Sequence, residues 1–191
     1  MATTATATGT EARYNFVARV LHWLVALLVL GSLSGGTLLW SLGFEGLRDT
    51  FGLAATNAIY TAHKTVGVAI LGLVVLRLAW RLAVGAPAPA ASMSPAVARL
   101  SRLTHGALYA LLIAMPVLGW AATAAGGFPV QFLQWNLPGL VPENEALSRT
   151  LFVWHGYTGL ALGVLALVHI AGALRHRFLL KDGVLRRIAL P

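Results

Sequence analysis

Six histidines, His22, His63, His105, His155, His169 and His176, each lie within or at the end of a long apolar stretch of this 191-residue chain. An ionisable side chain in hydrocarbon is costly and by default marks a functional site. The structural alternative is a neutral imidazole that hydrogen-bonds between helices, and here it would have to apply six times. His155 and His169 carry the sharpest geometry. They are 14 residues apart, which on a helix returns to within about 40° of the same face while separating the rings by about 21 Å in height. One metal ion cannot bind both, but two irons stacked across a bilayer take one each.

Each iron then needs a second axial ligand at matching depth. His63 stands at the outer start of the second apolar stretch, as His155 does in the fourth. His22 lies about 8 Å into the first stretch from the inner side, and His169 about 10 Å from the inner end of the fourth, by helical rise. The depths pair His63 with His155 and His22 with His169. Two histidines fill both axial positions of a haem iron, which favours electron transfer over oxygen binding.

Other residues follow from that placement, each with a plainer alternative. Gly67, Gly156, Gly159, Gly163 and Gly172 follow the candidate ligands and either leave clearance for a porphyrin or pack helices closely. Arg77, 14 residues after His63, either neutralises a haem propionate near the inner iron or snorkels to the surface. His105 and His176 are shallow on the inner side, beside Arg102, Arg175 and Arg177, too far out to replace the inner pair. They either supply hydrogen bonds and protons to a quinone or make interfacial hydrogen bonds.

The elements that must position these groups are membrane helices. The chain is 58% hydrophobic and 10% charged, with a mean hydropathy of +0.75. Four stretches approach or exceed the roughly 20 residues a span needs, at approximately 17–40, 61–82, 103–125 and 151–175. The expected fold is therefore all-α, an integral membrane four-helix bundle over residues 17–180 holding two stacked b-type haems. A polar tail (1–16) precedes it and a basic tail (181–191) follows. The 84–98 connection, with Pro87, Pro89 and Pro95, reads as an extended connector, and Pro116 bends the third helix. The longer connections at 41–60 and 126–150 each have room for a short surface helix.

The net charge of +8 is sorted by side. Arg13, Arg19, Arg77, Arg81, Arg99 and Arg102 fall at one side together with Arg175, Arg177, Lys181, Arg186 and Arg187, whereas the other side holds Arg48, Lys64 and Arg149. Basic flanks stay in the cytoplasm, so both termini are expected inside a bacterial inner membrane. That distribution explains the charge without nucleic acid. The absence of cysteine excludes disulfides, thiolate zinc sites, iron–sulfur clusters and c-type haem attachment. The N-terminus lacks the basic region of a secretory signal, so the first helix is expected to be retained. No acidic residue lies deep in a span, which argues against a histidine-dependent metal transporter.

The segments Arg19–Trp23 (RVLHW), His63–Gly67 (HKTVG), His105–Gly119 (HGALYALLIAMPVLG), Trp154–Gly159 (WHGYTG), Leu167–His169 and Arg175–Asp182 together resemble the bacterial cytochrome b561 family. The resemblance implies two haem b groups with ligands His22, His63, His155 and His169, in agreement with the depths. It further implies electron exchange with ubiquinone, and for some members oxidation of superoxide at the outer face. Lys64 and Arg149 would then attract the superoxide anion, with Arg48 a third candidate, and His105 and His176 would line the quinone site. Interfacial anchoring is the alternative role for the three cations. Longer members of the family serve as membrane anchors of hydrogenases or dehydrogenases, so an electron carrier for a separate partner protein is the competing expectation.

Overall fold

The computed structural model describes residues 12–90 and 92–190. Most of the polar tail at 1–16 therefore lies outside the described residues. Among the described residues, three helices are long and apolar enough to cross a membrane: α1 (Phe16–Val84), α2 (Pro95–Ala125) and α3 (Glu145–Arg175). A π-helical turn at His176–Leu180 extends α3, and a 3-10 turn at Val184–Arg187 follows.

Each helix starts on a side-chain cap that satisfies an otherwise free amide. Asn15 accepts from the Ala18 amide, Ser94 from Val97 and Asn144 from Leu147. Pro95 follows its cap at the first helical position, where the missing N–H costs nothing. Two helices consequently begin earlier than their apolar stretches, at 95 instead of 103 and at 145 instead of 151.

The 41–60 connection is helical as well, and α1 runs through it. A straight helix would hold Asn15 and Trp80 about 98 Å apart, yet the Trp80 indole donates to the Asn15 side chain at 3.2 Å. The chain turns back at Gly43 (φ 63°) and Gly52 (φ 80°), where the backbone takes left-handed values that favour glycine. Val29 from the first part of α1 then packs with Ile70 and Val74 from the last part and with Leu162 of α3.

Elsewhere the apolar side chains point outward. Leu27 is 66% exposed and Leu167 68%, an arrangement suited to lipid as the surrounding solvent. At one end of the bundle, the expected all-α composition is interrupted by a small antiparallel hairpin, β1 (Val130–Phe132) with β2 (Trp135–Leu137), in register Val130↔Leu137. It is fixed to α1 beside His63: Thr61 donates to Gln131, Lys64 to the Pro129 carbonyl, and the Leu133 amide to Thr65.

The opposite end is tied together by the C-terminal segment. Arg187, 9% exposed, donates to the carbonyls of Ala12 and Ala88, joining the N-terminal segment to the 84–98 connection. Trp23 donates to the Ile188 carbonyl and Arg19 to that of Ala189.

Candidate functional site

His22 and His63 come from the two limbs of α1, and His155 and His169 from α3. The rings of His22 and His169 have centroids 6.2 Å apart, and those of His63 and His155 are 6.1 Å apart. Each pair is nearly perpendicular, at 76° and 86°. The first pair lies near the end closed by the C-terminal segment, the second near the hairpin. Two imidazoles bonded to one metal ion at about 2.0–2.1 Å each have ring centres roughly 6 Å apart, so both separations fit an intervening ion.

The donor set narrows the kind of ion. Among the described residues, no group of three or more His, Cys, Asp or Glu side chains is placed to hold a metal. Two imidazoles alone leave the other positions to a ligand the protein does not supply, as a porphyrin does for haem iron.

Local detail agrees with a group seated between His63 and His155. The Nδ1 atom of His155 bonds to the Met115 carbonyl at 2.9 Å, the outer support that fixes a metal-binding imidazole. The Nδ1 atom of His63 is buried with no hydrogen-bond partner in the protein. A cleft bordered by Ser32, Gly67, Met115 and Pro116 opens on both rings. Two further glycines, on helices facing the rings, leave room for them. A Cβ at Gly36 would lie 3.2 Å from His63 Cε1, and one at Gly119 2.8 Å from His155 Cε1. Their signal in the sequence is a glycine in mid-helix with no turn to explain it.

The glycines expected to give porphyrin clearance divide. Gly67, Gly163 and Gly172 face open space, whereas a Cβ at Gly156 would meet the Trp40 ring and one at Gly159 the Met115 side chain. The second group therefore packs the helices.

His105 lies closer to the His22–His169 pair than its place beside Arg102 indicated, with its ring 5.0 Å from that of His169. Because α2 starts at Pro95, His105 is about 15 Å along the helix by rise instead of at its mouth. Its Nδ1 bonds to the Ser101 carbonyl at 2.6 Å. His176 is buried and pairs with Asp182 at 2.6 Å. Burial works to raise the Asp182 carboxyl, but hydrogen bonds from His176, the Val184 amide and Ser92 hold it below the usual carboxylate range. Arg77 donates to the Tyr109 hydroxyl and the Ala18 carbonyl.

The cations Arg48, Lys64 and Arg149 differ in their partners. Arg149 pairs with Glu145 at 2.8 Å, and Arg48 pairs with Glu45 and Asp49. Lys64 donates to a neutral carbonyl and has no carboxylate partner among the described residues.

Residues 13–189 match the family model described as prokaryotic cytochrome b561. The chain is 29% identical over 182 residues to cytochrome b561 homolog 2 of Escherichia coli, covering 95% of this chain and 93% of the relative. It is 28% identical to the probable superoxide oxidase CybB of Yersinia pestis, covering 92% and 95%. A third relative, cytochrome b562 of Cereibacter sphaeroides, is 28% identical with 95% and 98% covered.

Proposed function

The chain belongs to the prokaryotic cytochrome b561 family, membrane electron-transfer proteins with b-type haem, and from that premise we propose that it holds two haem b groups and moves electrons across the bilayer to ubiquinone. The observation that carries this proposal is the pair of histidine pairs. His63 with His155, and His22 with His169, stand at iron-spanning separations near opposite ends of the bundle.

The bundle is proposed to count four spans, because α1 folds back at Gly43 and Gly52 and both of its limbs contribute a histidine. The basic residues gathered at the end with both termini support a cytoplasmic position for that end in a bacterial inner membrane.

A b-type haem at each pair would supply a one-electron carrier. The protein's own part is to hold the imidazoles apart, to keep Nδ1 of His155 on the Met115 carbonyl, and to keep water out with the apolar side chains between the pairs. Superoxide is the proposed donor at the hairpin end. The name of the Yersinia pestis relative supports it, as does the charge of Lys64 beside His63, which has no carboxylate partner among the described residues. Each superoxide loses one electron and leaves as dioxygen. Two such electrons and two protons convert ubiquinone to ubiquinol at the other end. There His105, whose Nδ1 proton is held by the Ser101 carbonyl, is the proposed acceptor, through Nε2, of a hydrogen bond from a quinol hydroxyl. His176, engaged with Asp182, is the proposed proton-exchanging group nearer the aqueous surface.

The purified protein should show about two haem b per chain with a low-spin spectrum. A superoxide pulse should reduce the haem, and a ubiquinone analogue should reoxidise it. A chain with one haem or none would sink the di-haem proposal. Two haems that ignore superoxide but accept electrons from a dehydrogenase or hydrogenase would establish the carrier or anchor role instead.

A further inference from the structure

Arg77 is a half-buried guanidinium anchored from two sides. Its Nε–H donates to the Tyr109 hydroxyl on α2 at 3.0 Å, and an Nη1–H to the Ala18 carbonyl at the start of α1 at 3.2 Å. Both anchors stand one turn from an imidazole: Ala18 is four residues before His22, and Tyr109 four after His105, so each lies on the same helix face as its histidine. The Tyr109 ring packs against the core cluster around Val74 and Leu162, which fixes the hydroxyl. An arginine at this depth otherwise extends toward water.

The surroundings of the two histidine pairs are electrically unequal. Arg77 is held in part-buried hydrogen bonds to groups one turn from His22 and from His105, whereas the cation next to His63, Lys64, lies in an exposed hydrogen bond to the Pro129 carbonyl of the hairpin. Adding an electron to a site is favoured by a nearby fixed positive charge, and more so where water does not screen it.

We propose that Tyr109 is a positioning residue that pins Arg77 beside the His22–His169 pair, making the haem held there the stronger electron acceptor of the two. Electron flow from the hairpin end toward the opposite end is thereby biased by a charge held in place by α2. This inference rests on the di-haem proposal above.

The test is an equilibrium redox titration of the full-length, haem-loaded protein, followed by the haem absorption bands. The inner component is identified as the one lost in His22→Ala. Tyr109→Phe keeps the packed ring and removes only the hydroxyl. It should lower the reduction equilibrium constant of the inner haem about three- to tenfold, roughly 30–60 mV at 59 mV per decade for one electron, and leave the outer haem unchanged. Arg77→Gln should lower it further, and Tyr109→Phe added to Arg77→Gln should have no additional effect, as expected when two residues act through one interaction. An unmoved inner potential, an equal shift of both haems, or a Tyr109→Phe effect that persists without Arg77 would each overturn the role of Tyr109. Fewer than two haems in the unsubstituted protein would instead remove the di-haem proposal on which it rests.

Discussion

The Nδ1 atom of His155 hydrogen-bonds to the Met115 carbonyl oxygen at 2.9 Å, and a carbonyl can only accept. Nδ1 must therefore carry the proton, which leaves the Nε2 lone pair free for the proposed haem iron. The ring is held by α2 while its helix is α3, so the ligand is oriented by a neighbouring element before any metal arrives. His155→Ala and His63→Ala should each remove one haem of the proposed two and spare the other, because the second pair is built from His22 and His169. Haem stoichiometry with the remaining low-spin spectrum checks this. Loss of both haems from either single change would count against two separate pairs.

Gly119 is the tightest approach to that same ring. An added Cβ would sit 2.8 Å from His155 Cε1, closer than ordinary packing allows, so Gly119→Ala must displace the imidazole or part α2 from α3. Overpacking of this kind costs about 1–3 kcal/mol, and it should appear as weakened or lost haem at the His63–His155 pair with the other pair retained. Gly31→Ala is the control: nothing lies within 4 Å of the added carbon, and the spectrum and thermal stability should stay unchanged. Equal behaviour of the two variants would show that contact with His155 is not what matters at Gly119.

The histidine pairs were legible in the sequence because type, depth and helical period all act along one chain direction. His155 and His169 needed only a 14-residue separation, and their partners only comparable depth. Room for a short helix at 41–60 was legible as well, but the turning points at Gly43 and Gly52 were not, since they are single backbone conformations inside a stretch of mixed polarity. Nor was the true depth of His105. Hydropathy marks where the apolar run begins, whereas the helix begins at the Ser94 cap. Tyr109 with Arg77, and His176 with Asp182, are meetings between separate elements, and no local pattern announces them.

Lys64 and Arg149 should separate when superoxide is the donor. Arg149 is exposed and paired with Glu145, so its field is largely cancelled nearby, and Arg149→Ala should change the rate of superoxide-driven haem reduction less than twofold. Lys64 stands next to His63 on the Pro129 carbonyl, with no carboxylate partner among the described residues. Lys64→Ala should slow the bimolecular step several-fold, a part of the roughly 10–10³-fold that a whole charged surface supplies by steering. The difference should shrink as ionic strength rises and the Debye length falls to about 3 Å at 1 M salt. Stopped-flow reduction across a salt series measures both effects, and a salt-independent loss in Lys64→Ala would point to a structural role at the Pro129 carbonyl.

The Asp182 carboxylate joins the end of α3 to the 84–98 connection through His176 at 2.6 Å and Ser92 at 3.3 Å. Its acidity in the folded chain is stronger than in the unfolded one, despite the opposing effect of burial. A depressed carboxylate stabilises the fold fully above its unfolded value of about 3.9, and this contribution fades as pH falls through the lower folded value. Between neutral pH and about pH 5 the carboxylate should therefore keep the C-terminal segment docked, with release developing only in stronger acid. Asp182→Asn removes the charge at every pH and should release the segment already at neutrality, at a cost of about 1 kcal/mol for a partly solvated charged hydrogen bond. Limited proteolysis after Lys181, Arg186 and Arg187 reports docking directly. The variant should be cut faster than the parent at pH 7, while its haem content at the His63–His155 pair stays the same. Equal cleavage of variant and parent at pH 7 would show that the remaining ties, Arg187 to the Ala12 and Ala88 carbonyls, Trp23 to Ile188 and Arg19 to Ala189, suffice to hold the segment.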